Sequence, residues 1–323
     1  MQEFAEYMGR ELPLIEDCLS RHVAGLTPYV RPTAEHVLRA GGKRLRPLLT
    51  ILSARALGYA GGDAIYPLAC SLELLHSATL LHDDILDGAA LRRGQPAAHT
   101  VFGVGHTILA GDALLALANI MVASYGKPEL TACLSDAILR TASGEIEEIA
   151  HIRDVDLSMD GYLNIIIGKT ACLIQSACQA GALLAGAPAH LVEAAGGYGM
   201  NLGVAFQLVD DALDYTSPKE VSGKPRGSDI REGKLTLPLI LYMADLPGER
   251  GIRFTKAFKE NTLQESELES ALHEVAAGGY PQRTREMAVS YLEKAGQCLA
   301  DMPACLETGL MRAALEGMAK REK

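Results

Sequence analysis

Apolar residues recur at three- and four-residue spacing along most of the chain, and strand-like alternation is scarce. Leu72, Leu75, Thr79, Leu80 and Asp83 follow this helical period. The spacing predicts a long helix over residues 63–87, closed by Gly88. A second is expected from Gly105 or His106 to about Tyr125, where Gly126-Lys127-Pro128 stops it. Further helices are predicted over 129–151, 159–184, 188–214 and 233–244. Thr262-Leu263-Gln264-Glu265 has the spacing of a capping box, ahead of helices over 265–276 and 281–299.

Residues 217–233 break the pattern. Pro218, Gly223, Pro225, Gly227 and Gly233 are mixed with charges there, which predicts an exposed, mobile loop. No solenoid-length repeat and no linker divides the chain. The expected architecture is all-α: one domain over 1–323, a large bundle of long central helices around a deep apolar cavity.

Composition fits a folded chain with a substantial core, since 48% of the 323 residues are apolar and 22% charged. A net charge of −10 argues against nucleic acid as a partner, because neutralising phosphates needs a basic surface. Seven scattered cysteines with no CxxC pair read as reduced thiols of a cytoplasmic protein. The acidic N-terminus lacks signal-peptide features, and apolar runs such as 113–123 and 235–243 fall short of the about 20 residues that span a bilayer. The expectation is a soluble protein.

The chemistry concentrates in two DDxxD pentads, Asp83-Asp84-Ile85-Leu86-Asp87 and Asp210-Asp211-Ala212-Leu213-Asp214. Six of sixteen aspartates occupy these ten positions, although Asp is a poor helix former. Helical positions i and i+4 share a face, so Asp83 can join Asp87, and Asp210 can join Asp214, around one cation. Crowded carboxylates near a helix C-terminus repel each other and the macrodipole, and divalent cations would offset that repulsion. All-oxygen donors select Mg²⁺ or Mn²⁺.

Cations lie close to both pentads in sequence. Gly41-Gly42-Lys43-Arg44-Leu45-Arg46-Pro47 places three beside a flexible turn at a helix start, and Arg92 and Arg93 follow the first pentad. Lys169 stands in Gly168-Lys169-Thr170, while Lys224 and Lys234 bracket the loop after the second pentad. Any one of these could be a solvated surface charge. Together they suggest diphosphates held between Lys/Arg and metal ions.

These segments resemble the trans-isoprenyl diphosphate synthase (polyprenyl synthetase) family. The matching text is Gly41–Pro47, Leu81-His82-Asp83 through Gly88, Leu91-Arg92-Arg93-Gly94, Gly111-Asp112-Ala113, Gly168-Lys169-Thr170-Ala171, Phe206-Gln207 through Tyr215, and Gly227-Ser228-Asp229 through Pro238. The motifs keep the family's order over roughly residues 25–300. The resemblance implies a Mg²⁺-dependent prenyltransferase, with three ions per site and Mn²⁺ able to substitute. It adds isopentenyl diphosphate to an allylic diphosphate, as a homodimer whose membrane contact is at most transient. Lys43, Arg46, His76 and Arg93 are implied to hold isopentenyl diphosphate. Arg92, Lys169, Thr170, Gln207, Lys224 and Lys234 are implied to contact the allylic diphosphate. Asp83, Asp87 and Asp210 are implied as direct metal ligands, with Asp84, Asp211 and Asp214 second-line or water-mediated. Two positions depart from the family pattern: Glu148 stands where long-chain members often carry Gln, and Gly105-His106 replaces Gly-Asn.

Product length is expected to be set below the first pentad, on turns spaced about 5.4 Å apart. Ala78 and Thr79 are small where an early aromatic stop would stand, and Leu75 and Leu72 lie deeper. This resembles long-chain members that make quinone side chains, octaprenyl favoured over geranylgeranyl, unless Met121 or Ile174 blocks the path. Three other readings compete. Glu73-Leu74-Leu75-His76 and Glu148-Ile149-Ala150-His151 have the ExxH spacing of di-iron bundles, with Glu145 or Glu193 as further ligands. A class I terpene cyclase usually lacks the second pentad. A non-catalytic partner subunit tends to lose both.

Overall fold

Helices form wherever the three- and four-residue spacing of apolar side chains runs unbroken. The structure, a computed structural model, describes residues 2–216 and 226–321. The first helices are α1 (Gln2–Ala24), α2 (Arg31–Arg39), α3 (Leu45–Ala56) and α4 (Tyr66–Leu86). Next come α5 (Ala98–Phe102), α6 (Val104–Ala123), α7 (Pro128–Ala150), α8 (Met159–Ile166), α9 (Cys172–Leu184) and α10 (Ala189–Thr216). Shorter helices follow at Ser228–Glu232, Leu237–Asp245, Gly248–Lys259, Glu265–Ala277, Tyr280–Cys298 and Leu306–Ala319. Among the described residues the only strands are β1 (Leu91–Arg92) and β2 (Gln95–Pro96), an antiparallel pair. The class is all-α, as expected.

The chain divides into two compact units. The first comprises 1–139, 173–199 and 297–314, and the second 140–172, 200–296 and 315–323. In the first unit α4 is the core helix. Leu72, Leu75, Ala78 and Leu81 belong to one buried cluster with Ala110, Leu114, Ala118 and Met121 of α6. Burying such a side chain contributes roughly 1.5–3 kcal/mol, so this face fixes the position of α4. The second unit has its own core, in which Tyr215, Ile230, Leu239, Tyr242, Phe258 and Leu272 are buried.

Two helices, Gly62–Leu86 and Val104–Ala123, are long and apolar enough to cross a membrane, unlike the shorter runs picked out by sequence alone. The first is mostly buried. The second buries one stripe through Thr107, Ala110, Gly111, Leu114, Ala118 and Met121, and leaves Leu109 and Ile120 each 67% exposed.

Four departures from the sequence expectations have physical causes. Before residue 63 the sequence names only a helix start at Gly41–Pro47, where α3 begins, yet α1 and α2 also lie there. Pro13 and the buried Glu11 interrupt the apolar stripe of α1, but Arg55 Nη1 donates to Glu11 at 2.6 Å and makes that carboxylate compatible with burial. The helix expected over 159–184 is broken by a π-helical turn at Ile167–Ala171. The helix expected over 233–244 starts only at Leu237, after an extended Thr236. Finally, Gln264 caps Glu265–Ala277 with Glu267 as its reciprocal partner, while Thr262 Oγ1 turns back to Ala257 O at 3.4 Å.

The π turn sits where two backbones meet. A Cβ on Gly144 would stand 2.4 Å from Lys169 N, and one on Gly168 would stand 2.9 Å from Gly144 Cα. Only glycine permits that approach. Gly144→Ala is expected to destabilise the protein by about 1–3 kcal/mol through overpacking. An unchanged urea-unfolding midpoint would contradict that packing.

Candidate active site

In the first unit the cationic turn before α3 is built around Arg44. This residue adopts a left-handed conformation (φ 48°) and turns its side chain inward, leaving it 4% exposed. Nε donates to Glu16 Oε1 at 2.7 Å, Nη1 to Glu73 Oε1 at 2.9 Å and Nη2 to Leu38 O at 2.9 Å. Folding Arg44 in leaves Lys43 exposed and Arg46 half-buried on either side. Arg93 lies against the same turn: a side-chain carbon on Gly42 would stand 2.9 Å from its Nη1. Arg93 and Gly94, with φ of 52° and 77°, are the central pair of the β1–β2 hairpin, the signature of a type I′ turn. Lys43 and Arg93 therefore belong to one cation cluster. His76, on α4, is held well below the ordinary histidine range by burial and then by Arg46, Arg93, Arg92 and Arg44.

Both pentads share one internal logic. Position i+1 of a helix is rotated about 100° from the face shared by i and i+4. The second aspartate of each pentad accordingly turns inward, and Asp84 and Asp211 are each 3% exposed. Asp84 Oδ1 accepts from Arg92 Nε at 2.8 Å and from Arg92 Nη2. Asp83 is half-buried and Asp87 exposed, one turn apart on α4. Their donor set is oxygen only, on one helix face, which fits a hard divalent cation.

In the second unit Tyr162 OH donates to Asp211 Oδ2, and Gln207 Nε2 donates to its Oδ1 at 2.8 Å. Thr170 Oγ1, on the π turn, donates to Gln207 Oε1 at 2.8 Å. Burial pushes the Asp211 carboxyl up to about 7, with the Tyr162 and Gln207 hydrogen bonds pulling the other way. Asp210 faces solvent and accepts from Arg321 Nη2 at 3.1 Å, while Arg321 stacks on Phe206 at 4.9 Å. Asp214 accepts from Ser228 N at 3.1 Å, Ser228 Oγ at 2.7 Å and Asp229 N at 3.2 Å, capping the short helix Ser228–Glu232. Asp214 thus anchors backbone at the start of that helix.

Lys169 Nζ, carried by the π turn, meets Glu148 at 2.6 Å and Glu145 at 3.0 Å. Lys234 Nζ lies 3.5 Å from Glu148 and 2.8 Å from Glu232. These two lysines line a pocket together with Thr170, Gln207, Asp211 and His151. A π turn displaces one residue from the α-helical register, which is how Lys169 and Thr170 both reach the pocket.

The structure gathers Lys43, Arg46, His76, Arg92, Arg93, Asp83, Asp84 and Asp87 in the first unit, and Lys169, Thr170, Gln207, Lys234, Asp210, Asp211 and Asp214 in the second. Lys224 lies outside the described residues, as does most of the loop expected over 217–233. Ala78, Leu75 and Leu72 are fully buried, and Thr79 is half-buried with its hydroxyl on His76 O at 2.8 Å. Sequence reasoning missed Arg44, Tyr162 and Arg321 as partners. Only Arg44 had a signal, standing inside a cationic motif. The ExxH reading fails on pairing: Glu73 is taken by Arg44, and Glu148 by Lys169 and Lys234. The second departure, His106, holds Tyr29 O at 2.6 Å.

An all-α fold with two acidic pentads, an inward aspartate in each and separate cation clusters is what the resemblance to all-helical prenyltransferases implies. The chain belongs to the polyprenyl synthetase family, whose profile matches residues 27–275. It is 37% identical to a prenyl transferase from Synechocystis over 91% of this chain and 90% of that one. It is 36% identical to octaprenyl diphosphate synthase from Escherichia coli over 94% and 93% of the two chains. Among solved structures it is similar to polyprenyl synthase from Caulobacter crescentus, complexed with calcium and isoprenyl diphosphate. That match has a TM-score of 0.93 at 36% identity, covering 100% of this chain and 98% of that one.

The depressed His76 carries a consequence for stability. The unfolded chain takes up that proton near pH 6.5, the folded chain only at lower pH. Its contribution is therefore full above about pH 6.5 and lost as pH falls below it, by up to about 1.4 kcal/mol per unit. His76→Gln should flatten that part of the curve, measured as urea midpoints from about pH 5 to about pH 7.5. A slope unchanged in the variant would sink the assignment.

Proposed function

We propose that this prenyltransferase makes a long all-trans polyprenyl diphosphate, octaprenyl in preference to geranylgeranyl. It does so by head-to-tail addition of isopentenyl units to a primer such as farnesyl diphosphate. The carrying observation is that each pentad ties its second aspartate to a neighbour, Asp84 to Arg92 and Asp211 to Tyr162 and Gln207. Asp83 and Asp87, on one helix face, and Asp210, at the solvent side, are the ligands for magnesium, three ions in all, with manganese a substitute. Magnesium, when bound, supplies Lewis-acid stabilisation of the departing diphosphate.

Lys43, Arg46, His76 and Arg93 hold isopentenyl diphosphate. A neutral His76 among cations donates or accepts a hydrogen bond without adding to their repulsion. Lys169, Lys234, Thr170 and Gln207 hold the allylic diphosphate. The two ammonium groups take up the charge that grows as the allylic C–O bond ionises. The isopentenyl double bond attacks the cation, and the proton lost leaves with the released diphosphate.

The long product follows from Ala78 and Thr79, small residues one turn from Asp83 with Leu75 below. Octaprenyl is the product named for the Escherichia coli relative. The chain acts as one domain over 1–323, in the cytoplasm, serving quinone side-chain synthesis, with transient membrane contact when the greasy product leaves. The exposed apolar face of α6, where Leu109 and Ile120 stand, supports a homodimer that covers it.

Farnesyl diphosphate, isopentenyl diphosphate and magnesium should yield octaprenyl alcohol on chromatography after dephosphorylation, and chelator should abolish it. Ala78→Phe should shorten the product to geranylgeranyl length while first-step turnover stays within about twofold. Unchanged chain length would refute the path below Asp83. Ile120→Asp should convert a dimer to a monomer by light scattering, and a monomeric parent protein would remove the dimer.

A further inference from the structure

Glu148 is the departure that the proposed reaction does not use. Its carboxylate sits at 2.6 Å from Lys169 Nζ and 3.5 Å from Lys234 Nζ, so one acidic side chain bridges both cations of the allylic-diphosphate pocket. Each lysine also has a second carboxylate, Glu145 for Lys169 and Glu232 for Lys234. Two ammonium groups thus meet three carboxylates, and the pocket offers a bare anion no net positive charge. A diphosphate that binds through these lysines must displace Glu148 or share them with it.

We propose that Glu148 is a built-in competitor for the diphosphate. It holds Lys169 and Lys234 together before the allylic diphosphate arrives and reclaims them as inorganic pyrophosphate departs. The inference rests on the reading of Lys169 and Lys234 as the diphosphate cradle, and it deepens that reading to the selectivity and turnover of the site. Two consequences follow from charge alone. Metal-free pyrophosphate is rejected, because its own charge meets Glu145, Glu148 and Glu232; a magnesium-neutralised diphosphate is not. The product pyrophosphate also leaves readily, since an internal anion already stands at the lysines. Glu148 acts here through the lysines, as a positioning residue. The raised Lys169 is consistent with this: burial opposes its charge most, and Glu148 and Glu145 together outweigh that opposition.

Glu148→Gln keeps the shape and one hydrogen-bond acceptor but removes the competing charge. Calorimetric titration with inorganic pyrophosphate and chelator should show roughly tenfold tighter binding than for the parent protein. Glu145→Gln, which relieves only Lys169, should shift affinity in the same direction and by less. In the assay, Glu148→Gln should lower the KM for the allylic diphosphate and strengthen inhibition by added pyrophosphate, with no gain in kcat. A purely structural role would lower the thermal midpoint and weaken pyrophosphate binding. Unchanged or weaker binding in Glu148→Gln overturns the proposal, while Lys169→Gln shows which reading failed. If Lys169→Gln loses pyrophosphate affinity, the cradle stands without the competitor; if it does not, both fall.

Discussion

Charge held away from bulk water needs an internal partner, and the functional residues of this protein are arranged by that need. An unpaired ion in a helix interior costs several kcal/mol, so each half-buried carboxylate or ammonium directs its neighbours. Arg44 is drawn inward by Glu16 and Glu73, Arg92 by Asp84, and Lys169 by Glu145 and Glu148. The backbone follows these pairings. Arg44 accepts a left-handed conformation, a strain of about 1–2 kcal/mol, to reach its two glutamates. The same turn then displays Lys43 and Arg46.

The pentads show how a helix sorts identical residues by angle. Three aspartates lie within five positions, yet they meet different surroundings because the second is rotated off the face of the first and last. In both pentads that second residue is buried against a donor, Arg92 in one case and Tyr162 with Gln207 in the other. The last residue differs between them. Asp87 is exposed at the end of α4, whereas Asp214 caps Ser228–Glu232 and so fixes where the segment after the second pentad rejoins the fold. Similar text therefore does not give similar surroundings.

Much of this was legible in the sequence, and what escaped did so for definable reasons. Long apolar periods such as those around Leu72–Leu81 and Ala110–Met121 survive any tertiary context, so α4 and α6 appeared within a few residues of their true bounds. Helix α1 was hidden because Glu11 occupies its buried stripe, and only Arg55, 44 positions away, makes that acceptable. The π turn at Ile167–Ala171 was hidden because its cause is the close approach of Gly144, a contact that periodicity cannot encode. The acidic and basic motifs were visible because they break composition. Their partners Tyr162 and Arg321 are ordinary residues singled out only by folding.

The ion pairs divide into two kinds, and the division follows burial. Arg44 and Glu73 are 4% and 6% exposed, and nothing that enters from solvent can replace either without leaving the other stranded. Such a pair is scaffold. Lys169 and Glu148, at 24% and 19%, border a pocket, and Arg321 and Asp210, at 18% and 50%, border solvent. Water can reach both members, so opening these pairs costs far less than a buried break, nearer the about 1 kcal/mol of exposed pairs. A ligand bringing several charge-assisted hydrogen bonds exceeds that cost. The protein therefore keeps the charged side chains of its candidate site folded in by exchangeable pairs set upon permanent ones, which lets a highly charged cluster exist in a stable helical fold.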